Sequence, residues 1–174
     1  NAGFGTLAPF AKIPWETTAQ QLDLNIKALT HLTHLFVPGM LKRQQGYVLN
    51  VSSIAGFMPI PNFATYAAGK AYVRSFSEAL AHEFTGTGVH ICCLCPGGTR
   101  TEFSSVAGIN LPSWQAKTFL DPEDCVRLGL KAMFHGRISV VHGAMNVATG
   151  LLMNFVPRSI SARMAQKILS SESS

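Results

Sequence analysis

The chain has 174 residues, of which 47% are hydrophobic and 13% charged, and its 14 Lys and Arg against 9 Asp and Glu give a net charge of +5. This composition excludes a disordered chain and predicts one globular domain with a substantial core. The basic residues are scattered, with the densest cluster in LKRQQ at 41–45, which argues against a nucleic-acid partner. Because the sequence has no run of 18 apolar residues, no transmembrane segment is predicted, and a peripheral membrane contact stays open.

The first predicted element is an amphipathic helix over residues 16–44, perturbed near Pro38. Its apolar residues recur every three or four positions and predict a buried stripe of Leu22, Ile26, Leu29, Leu32, Phe36 and Met40. Asn25 falls on that stripe. GYVLNVSS at 46–53 then predicts a short buried strand, and residues 61–84 return to helical spacing until Gly86 and Gly88 end the helix.

A second buried strand is predicted for VHICCLC at 89–95, and an irregular stretch with Gly and Pro follows it. Residues 121–136 predict a helix that Asp121 caps, that has Pro122 in its first position and that ends at Gly136. ISVV at 138–141 predicts a third strand. Apolar strands that alternate with helices indicate an α/β fold with an open parallel sheet covered on both faces, where ligands bind at the carboxyl ends of the strands.

Three of the four cysteines crowd into ICCLC at 91–95. Alternation along the strand is expected to send Cys92 to one face and Cys93 and Cys95 to the two faces in turn. Because no second ligand cluster completes a metal site, we predict buried free thiols and no metal. Free thiols fit a reducing cytoplasm. A thiol or metal protein built on these cysteines is the least favoured alternative.

Polar residues gather where the strands end. Ser52 and Ser53 end the first strand, and PGGTRT at 96–101 follows the second directly. In TYAAGK at 65–70, Tyr66 and Lys70 are one helical turn apart, so the phenol and the ammonium share a face. A nearby cation favours phenolate, and we therefore expect Lys70 to lower the pKa of Tyr66 toward neutrality. Taken alone, such a pair is more often a solvated feature of a helix surface.

Together, these features resemble the short-chain dehydrogenase/reductase family, classical type. The match consists of NAG at 1–3, the helical Asn25, NVSS at 50–53, Y-x-x-x-K at 66–70 and PG-x-x-x-T at 96–101, and it spans residues 1 to about 103. It implies a Rossmann-like doubly wound sheet and an NAD(P)-dependent oxidoreductase that acts on a small-molecule ketone, aldehyde or secondary alcohol. The expected cofactor is NADP or NAD, with NADP slightly preferred. GFGTLAPF and SFSEALAHEF resemble the bacterial carbonyl-reductase and ketoacyl-reductase branch.

The resemblance gives each of four catalytic residues a role. Tyr66 is the general acid/base, Lys70 lowers its pKa and holds the nicotinamide ribose, and Ser53 bonds the substrate oxygen. Asn25 anchors, through its backbone, a water that relays protons from Lys70. A helix dipole that favours phenolate and a hydroxyl that stabilises developing charge agree with these roles. The structural alternatives are a strand-end hydroxyl for Ser53 and a core amide for Asn25.

The resemblance also implies contacts with the cofactor. In PGGTRT, the backbone around Thr99 and the hydroxyl of Thr101 are expected to face the carboxamide, and the alternative is a simple turn. Trp114 is a candidate for lining the substrate pocket, with loop packing as its alternative. His31 and His34 are expected to be solvated. The full set of expected cofactor contacts is Asn1, Ala2, Gly3, Tyr66, Lys70, Pro96, Gly97, Thr99 and Thr101.

Family members begin with a strand and a Gly-rich turn that receives the pyrophosphate, and this sequence has no counterpart of them. We therefore expect residues 1–174 to be the C-terminal portion of a single Rossmann-type domain, homo-oligomeric and cytoplasmic when full length. Made alone, the chain is expected to aggregate or be molten and not to bind NADPH, because the strand ending at Ser53 becomes an apolar edge. The alternative function is an inactive remnant or dimerisation module that keeps the motif without binding dinucleotide.

Overall fold

The computed structural model describes residues 2–108, 119–153 and 155–170. In this part of the chain, β1 (Gly46–Val51), β2 (Val89–Cys95) and β3 (Ser139–Val141) form one sheet in the order β1-β2-β3. Both pairings are parallel, with Gly46 opposite Val89 and Cys93 opposite Ser139. The predicted α/β fold with a parallel sheet is confirmed.

Helices precede, connect and follow these strands. Their bounds are α1 (Trp15–Leu22), a π turn (Asp23–Ala28), α2 (Leu29–Lys42), α3 (Ala64–Glu83), α4 (Phe103–Val106), α5 (Pro122–Phe134), α6 (Ala144–Met153) and α7 (Arg158–Ser170). The predicted cap of α5 is confirmed, since Asp121 Oδ1 accepts a hydrogen bond from Glu123 N at 2.9 Å. None of the helices in the described ranges is both long enough and apolar enough to cross a bilayer.

The first helical stretch differs from its prediction. The predicted helix over 16–44 is found as a continuous helical run over 15–42, but its irregularity is the π turn between α1 and α2, and Pro38 lies inside α2. The buried residues of this helical run are Thr18, Gln21, Asn25, Thr33 and Val37, of which only Asn25 falls on the predicted stripe. Leu32 and Phe36, which were predicted to be buried, are 53% and 60% exposed. Both line the open groove between α2 and β1.

Helices cover both faces of the sheet. On one face α3 packs on β1 and β2, and Asn50 Nδ2 donates a buried hydrogen bond to Ser77 Oγ at 2.9 Å. On the other face α5 packs on the same two strands, where Cys92 contacts Ala132 and Met133. This arrangement places the carboxyl ends of β1 and β2 beside the first turns of α3.

The cysteines are buried free thiols, as predicted. Their distribution over the two faces is not as predicted, because Cys93 Sγ and Cys95 Sγ lie 3.8 Å apart on the same face. Residues two apart on a strand point the same way. Cys92 alone points toward α5.

Candidate active site

The carboxyl end of β1 lies against the start of the PGGTRT loop. Ile54 N donates to Pro96 O at 2.9 Å, and the Ser53 hydroxyl lies 3.5 Å from the same carbonyl oxygen. Ser53 Oγ also accepts from Ala55 N at 3.1 Å, which caps the short 3-10 turn Ile54–Phe57. Ser53 therefore accepts one hydrogen bond within its own turn and donates one long bond to the start of the PGGTRT loop.

Tyr66 lies in the first turn of α3, near enough to Ser53 for that hydroxyl to affect its pKa. The ring of Tyr66 is buried and stacks on Phe63 with 4.5 Å between ring centroids, and the tilted ring of Phe103 in α4 lies 5.1 Å away. Burial raises the pKa of Tyr66 to about 12, and the Ser53 hydroxyl opposes that rise. The phenol is therefore protonated at pH 7.

Lys70 lies one turn further along α3, and its side chain is buried as well. Its Nζ donates to Val51 O at 2.8 Å and lies 5.6 Å from the centre of the Tyr66 ring. Burial lowers the pKa of Lys70 to about 8, and the nearby thiols of Cys93 and Cys95 oppose that lowering. The predicted lowering of the Tyr66 pKa by Lys70 is wrong in this structure, because desolvation of the phenol dominates and the ammonium is bonded to a strand carbonyl.

Ser52 is a residue of this site whose role the sequence analysis missed. Its hydroxyl is buried and donates to Lys70 O at 2.6 Å. The Lys70 ammonium in turn donates to Val51 O. The backbone and the side chain of Lys70 thus both bond to the end of β1 and link it to α3. The available signal was the first serine of NVSS, but the direction of its hydroxyl becomes known only when α3 is placed.

Asn25 connects the NAG segment to the π turn. Its Oδ1 accepts from Phe4 N at 3.2 Å and its Nδ2 donates to Phe4 O at 2.8 Å. A Cβ on Gly3 would lie 2.9 Å from Asn25 Oδ1, and a Cβ on Gly5 would lie 2.9 Å from the Tyr66 ring. Only glycine therefore lets this segment pass between Asn25 and Tyr66. The side chain of Asn25 therefore holds the NAG segment in place. These bonds do not involve the backbone of Asn25, whose role in anchoring a water stays a prediction.

The hydroxyls of the PGGTRT loop bond locally. Thr99 Oγ1 donates to Gly97 O at 3.1 Å, and Thr101 Oγ1 accepts from Phe103 N at 3.3 Å. Arg100 holds the far end of the loop, because its Nη1 donates to Phe119 O at 2.6 Å and its Nη2 pairs with Asp121 at 3.1 Å. These bonds join Arg100 to residues 119–121.

A groove of about 360 Å³ runs between β1 and α2, and Ala2, Asn25 and Lys70 line it together with apolar residues of both elements. Lys70 Nζ has three donors, of which the bond to Val51 uses one. The two remaining donors fit the hydroxyls of a ribose. Asn1 and Trp114, named above as a cofactor contact and a pocket residue, lie outside the described residues. Within the described ranges, His, Cys, Asp and Glu form no group that could hold a metal ion.

Comparison with known proteins agrees with this geometry. The family model for short chain dehydrogenases matches residues 1–110. An uncharacterized oxidoreductase of Myxococcus xanthus is 30% identical over 140 residues, 80% of this chain and 53% of that protein. A very-long-chain 3-oxoacyl-CoA reductase of Rattus norvegicus is 28% identical over 80% of this chain and 44% of that protein. The chain thus spans about half the length of these relatives.

Solved structures give the same result. A 7beta-hydroxysteroid dehydrogenase superposes with a TM-score of 0.82 at 25% identity, over 95% of this chain and 65% of that one. A short-chain dehydrogenase from Sphingobium yanoikuyae in complex with NADPH superposes with a TM-score of 0.74 at 26% identity, over 91% of this chain and 64% of that one. The α/β fold is therefore that of Rossmann-type short-chain dehydrogenases. The sequence, the site and these matches together show that the chain belongs to the short-chain dehydrogenase/reductase family.

Proposed function

We propose that this chain carries the catalytic part of an NAD(P)-dependent oxidoreductase that reduces a ketone or aldehyde, or oxidises the corresponding secondary or primary alcohol. The observation that carries the proposal is the buried phenol of Tyr66, which has the ammonium of Lys70 5.6 Å from its ring and lies near the end of β1 that carries Ser53. A protonated phenol, a second hydroxyl and a cation in one apolar site are a suitable set for a carbonyl oxygen that gains negative charge.

The nicotinamide half of the cofactor would lie against Lys70, the NAG segment and the PGGTRT loop. When bound, it supplies or accepts the hydride at the reacting carbon. The two free donors of Lys70 would hold the ribose hydroxyls. The residues expected to hold the cofactor remain Asn1, Ala2, Gly3, Tyr66, Lys70, Pro96, Gly97, Thr99 and Thr101. NADP is the slightly preferred form, and the complex of the Sphingobium relative with NADPH supports it.

The chain's own residues would move the proton. Tyr66 is a neutral phenol at pH 7, since burial raises its pKa to about 12. In reduction, the Tyr66 hydroxyl donates its proton to the carbonyl oxygen as that oxygen becomes an alkoxide, which is a stronger base than a phenolate. Ser53 donates a hydrogen bond to the same oxygen and stabilises its charge. The ammonium of Lys70 then lies 5.6 Å from the ring that has become phenolate, and stabilises it by a favourable Coulomb interaction.

The test compares NADPH consumption by the wild type with that of two matched variants. Tyr66→Phe removes the proposed acid, while Tyr72→Phe removes another phenol of α3, which hydrogen-bonds Thr30 at 3.0 Å outside the site. The panel of substrates contains an aldehyde, a cyclic ketone and a 3-oxoacyl thioester, because the relatives include a 3-oxoacyl-CoA reductase and a hydroxysteroid dehydrogenase.

The proposal predicts turnover of at least one carbonyl compound that Tyr66→Phe abolishes and Tyr72→Phe preserves. A protein that binds no NADPH in a tryptophan-fluorescence titration, in this chain and in a form extended upstream, would instead support the inactive remnant. Equal activity of the two variants would contradict the role of Tyr66.

A further inference from the structure

The positive charge of this chain is concentrated in one part of the sequence. Residues 125–171 contain no Asp or Glu, and they hold six Lys and Arg (Arg127, Lys131, Arg137, Arg158, Arg163 and Lys167). The rest of the chain holds the other eight Lys and Arg against all nine Asp and Glu. The excess of positive charge therefore comes entirely from the C-terminal quarter of the protein, which includes α6 and α7.

Large apolar side chains are exposed in the same region. On α6, which carries no charged residue, Met145 is 83% exposed and Leu152 is 57% exposed. Phe155, just after α6, is 86% exposed. Exposed side chains of this size are costly in water when they lie close together, and they commonly mark a contact surface.

On α7, the apolar and basic side chains form two adjacent rows. Ser161 and Ala165 are buried and define its inner face. Ile160 and Met164 are one turn apart and are each nearly half exposed. The exposed Arg163 and Lys167 are also one turn apart and follow each of these apolar residues by three positions. α7 therefore presents an apolar row beside a basic row, and no acidic residue lies on the helix.

We propose that α6 and α7 form a surface that binds a bilayer containing anionic phospholipid. The apolar side chains Met145, Leu152, Phe155, Ile160 and Met164 enter the headgroup region, and Arg163 and Lys167 contact lipid phosphates. This combination of a basic row and an apolar row is the one found on helices that lie in a membrane interface. An anionic surface is favoured over a second copy of the chain, because copies would bring together two regions of the same positive charge.

The assay is flotation of the protein with vesicles of phosphatidylcholine alone, or of phosphatidylcholine with phosphatidylserine, through a density gradient. Flotation separates vesicle-bound protein from aggregates, which sink. Arg163→Glu/Lys167→Glu reverses the basic row of α7. Its matched control, Lys42→Glu/Arg43→Glu, makes the same change in net charge in the densest basic cluster, at the end of α2.

A second pair of variants tests the apolar row. Ile160→Ser/Met164→Ser is compared with Val126→Ser/Leu130→Ser, an exposed apolar pair of the same spacing on α5. α5 also carries Arg127 and Lys131 one turn apart, but Glu123 and Asp124 lie in its first turn, and Glu123 pairs with Arg127 at 3.9 Å. Circular dichroism of each variant shows whether the helices are retained.

We expect the wild type to float with vesicles that contain phosphatidylserine and not with phosphatidylcholine alone, and high salt to weaken the binding. Arg163→Glu/Lys167→Glu should lower the partition coefficient at least about tenfold, because each basic residue near an anionic surface contributes on the order of 1 kcal/mol. Ile160→Ser/Met164→Ser should also lower it, while both controls should bind like the wild type.

Three results would overturn the proposal. They are no flotation of the wild type with anionic vesicles, an equal loss in the α2 or α5 controls, and a concentration-dependent dimer that Ile160→Ser/Met164→Ser dissociates while vesicle binding is absent. The last would assign the surface to a second copy of the chain.

Discussion

The end of β1 with α3 and the loop after β2 meet at the same site, but they hold their polar side chains in different ways. Ser52 and Lys70 make hydrogen bonds between β1 and α3, to residues 18 and 19 positions away in the chain. In the loop, Thr99 and Thr101 bond to backbone groups two residues away. The first set is fixed by tertiary packing and the second by a local turn, so we expect changes in the first set to have the larger effects.

The largest effect is expected for Tyr66→Phe. The phenylalanine ring keeps the packing against Phe63 and Phe103, but it cannot transfer a proton. Loss of a general acid or base lowers kcat by about 10²–10⁴-fold or more. Steady-state kinetics of a monodisperse form, this chain or one extended upstream, gives the measurement. A variant that keeps more than about a tenth of the wild-type kcat would contradict the mechanism.

Lys70→Met is expected to affect cofactor binding next. Hydrogen bonds from a charged group contribute about 1.5–3 kcal/mol each, so loss of the ribose contact should raise the Kd for NADPH by about 10–100-fold. Circular dichroism controls for folding. An unchanged Kd would show that Lys70 does not hold the cofactor.

The same variant tests the buried charge through the dependence of stability on pH. The pKa of Lys70 is about 8 in the folded chain and 10.5 as its ordinary value. Between these values the unfolded chain binds a proton at this lysine that the folded chain does not, so the contribution of Lys70 to the free energy of unfolding should rise with pH across this window, by on the order of 3 kcal/mol. The raised pKa values of Tyr66, Cys92 and Cys93 act in the opposite direction in both proteins, so the test is the difference between wild type and Lys70→Met in urea unfolding at several pH values. That difference should shift in favour of the wild type as the pH rises, and an identical pH dependence of the two proteins would contradict burial of the ammonium.

Ser52→Ala should have a moderate effect. It removes the donor to Lys70 O and should destabilise the protein by about 1 kcal/mol. Displacement of Lys70 should raise the KM for NADPH more than it lowers kcat. Ser75→Ala, at an exposed position of the same helix, is the matched control. If Ser52→Ala lowers stability and leaves the KM unchanged, its bond only joins β1 to α3.

The smallest effects are expected in the loop after β2. A single neutral hydrogen bond contributes about 0.5–1.5 kcal/mol, so Thr101→Val should raise the Kd for NADPH by less than about tenfold. Thr99→Val should change it less, because the proposed contact of Thr99 is through its backbone. Cofactor titration provides the measurement. A larger increase in the Kd for NADPH in Thr101→Val than in Lys70→Met would contradict the expected order of effects.

Much of the fold could be predicted because the strands are short apolar runs and the cap and proline of α5 are strong local signals. The π turn could not, because it replaces only a few hydrogen bonds within a helix whose composition is ordinary. Simple helical spacing also places Leu32 and Phe36 in the core, but they line the open groove between α2 and β1, because the face of a helix that meets the sheet is decided by tertiary packing. The positions of Ser53, Tyr66 and Lys70 followed from motif spacing. The direction of the Tyr66 pKa shift could not be predicted from the sequence. It depends on burial of the phenol against Phe63 and Phe103, which are brought together only by the fold.

The central claim is that Tyr66 is a buried, neutral proton donor, and its ionisation can be observed directly. NMR of isotope-labelled tyrosine in the ligand-free protein, with Tyr66→Phe for assignment, follows this phenol as the pH rises. We expect the Tyr66 signal to keep its neutral position beyond the ordinary pKa of about 10 and to change near 12, and Ser53→Ala to move that change higher. Ionisation of Tyr66 below pH 10 would contradict the account.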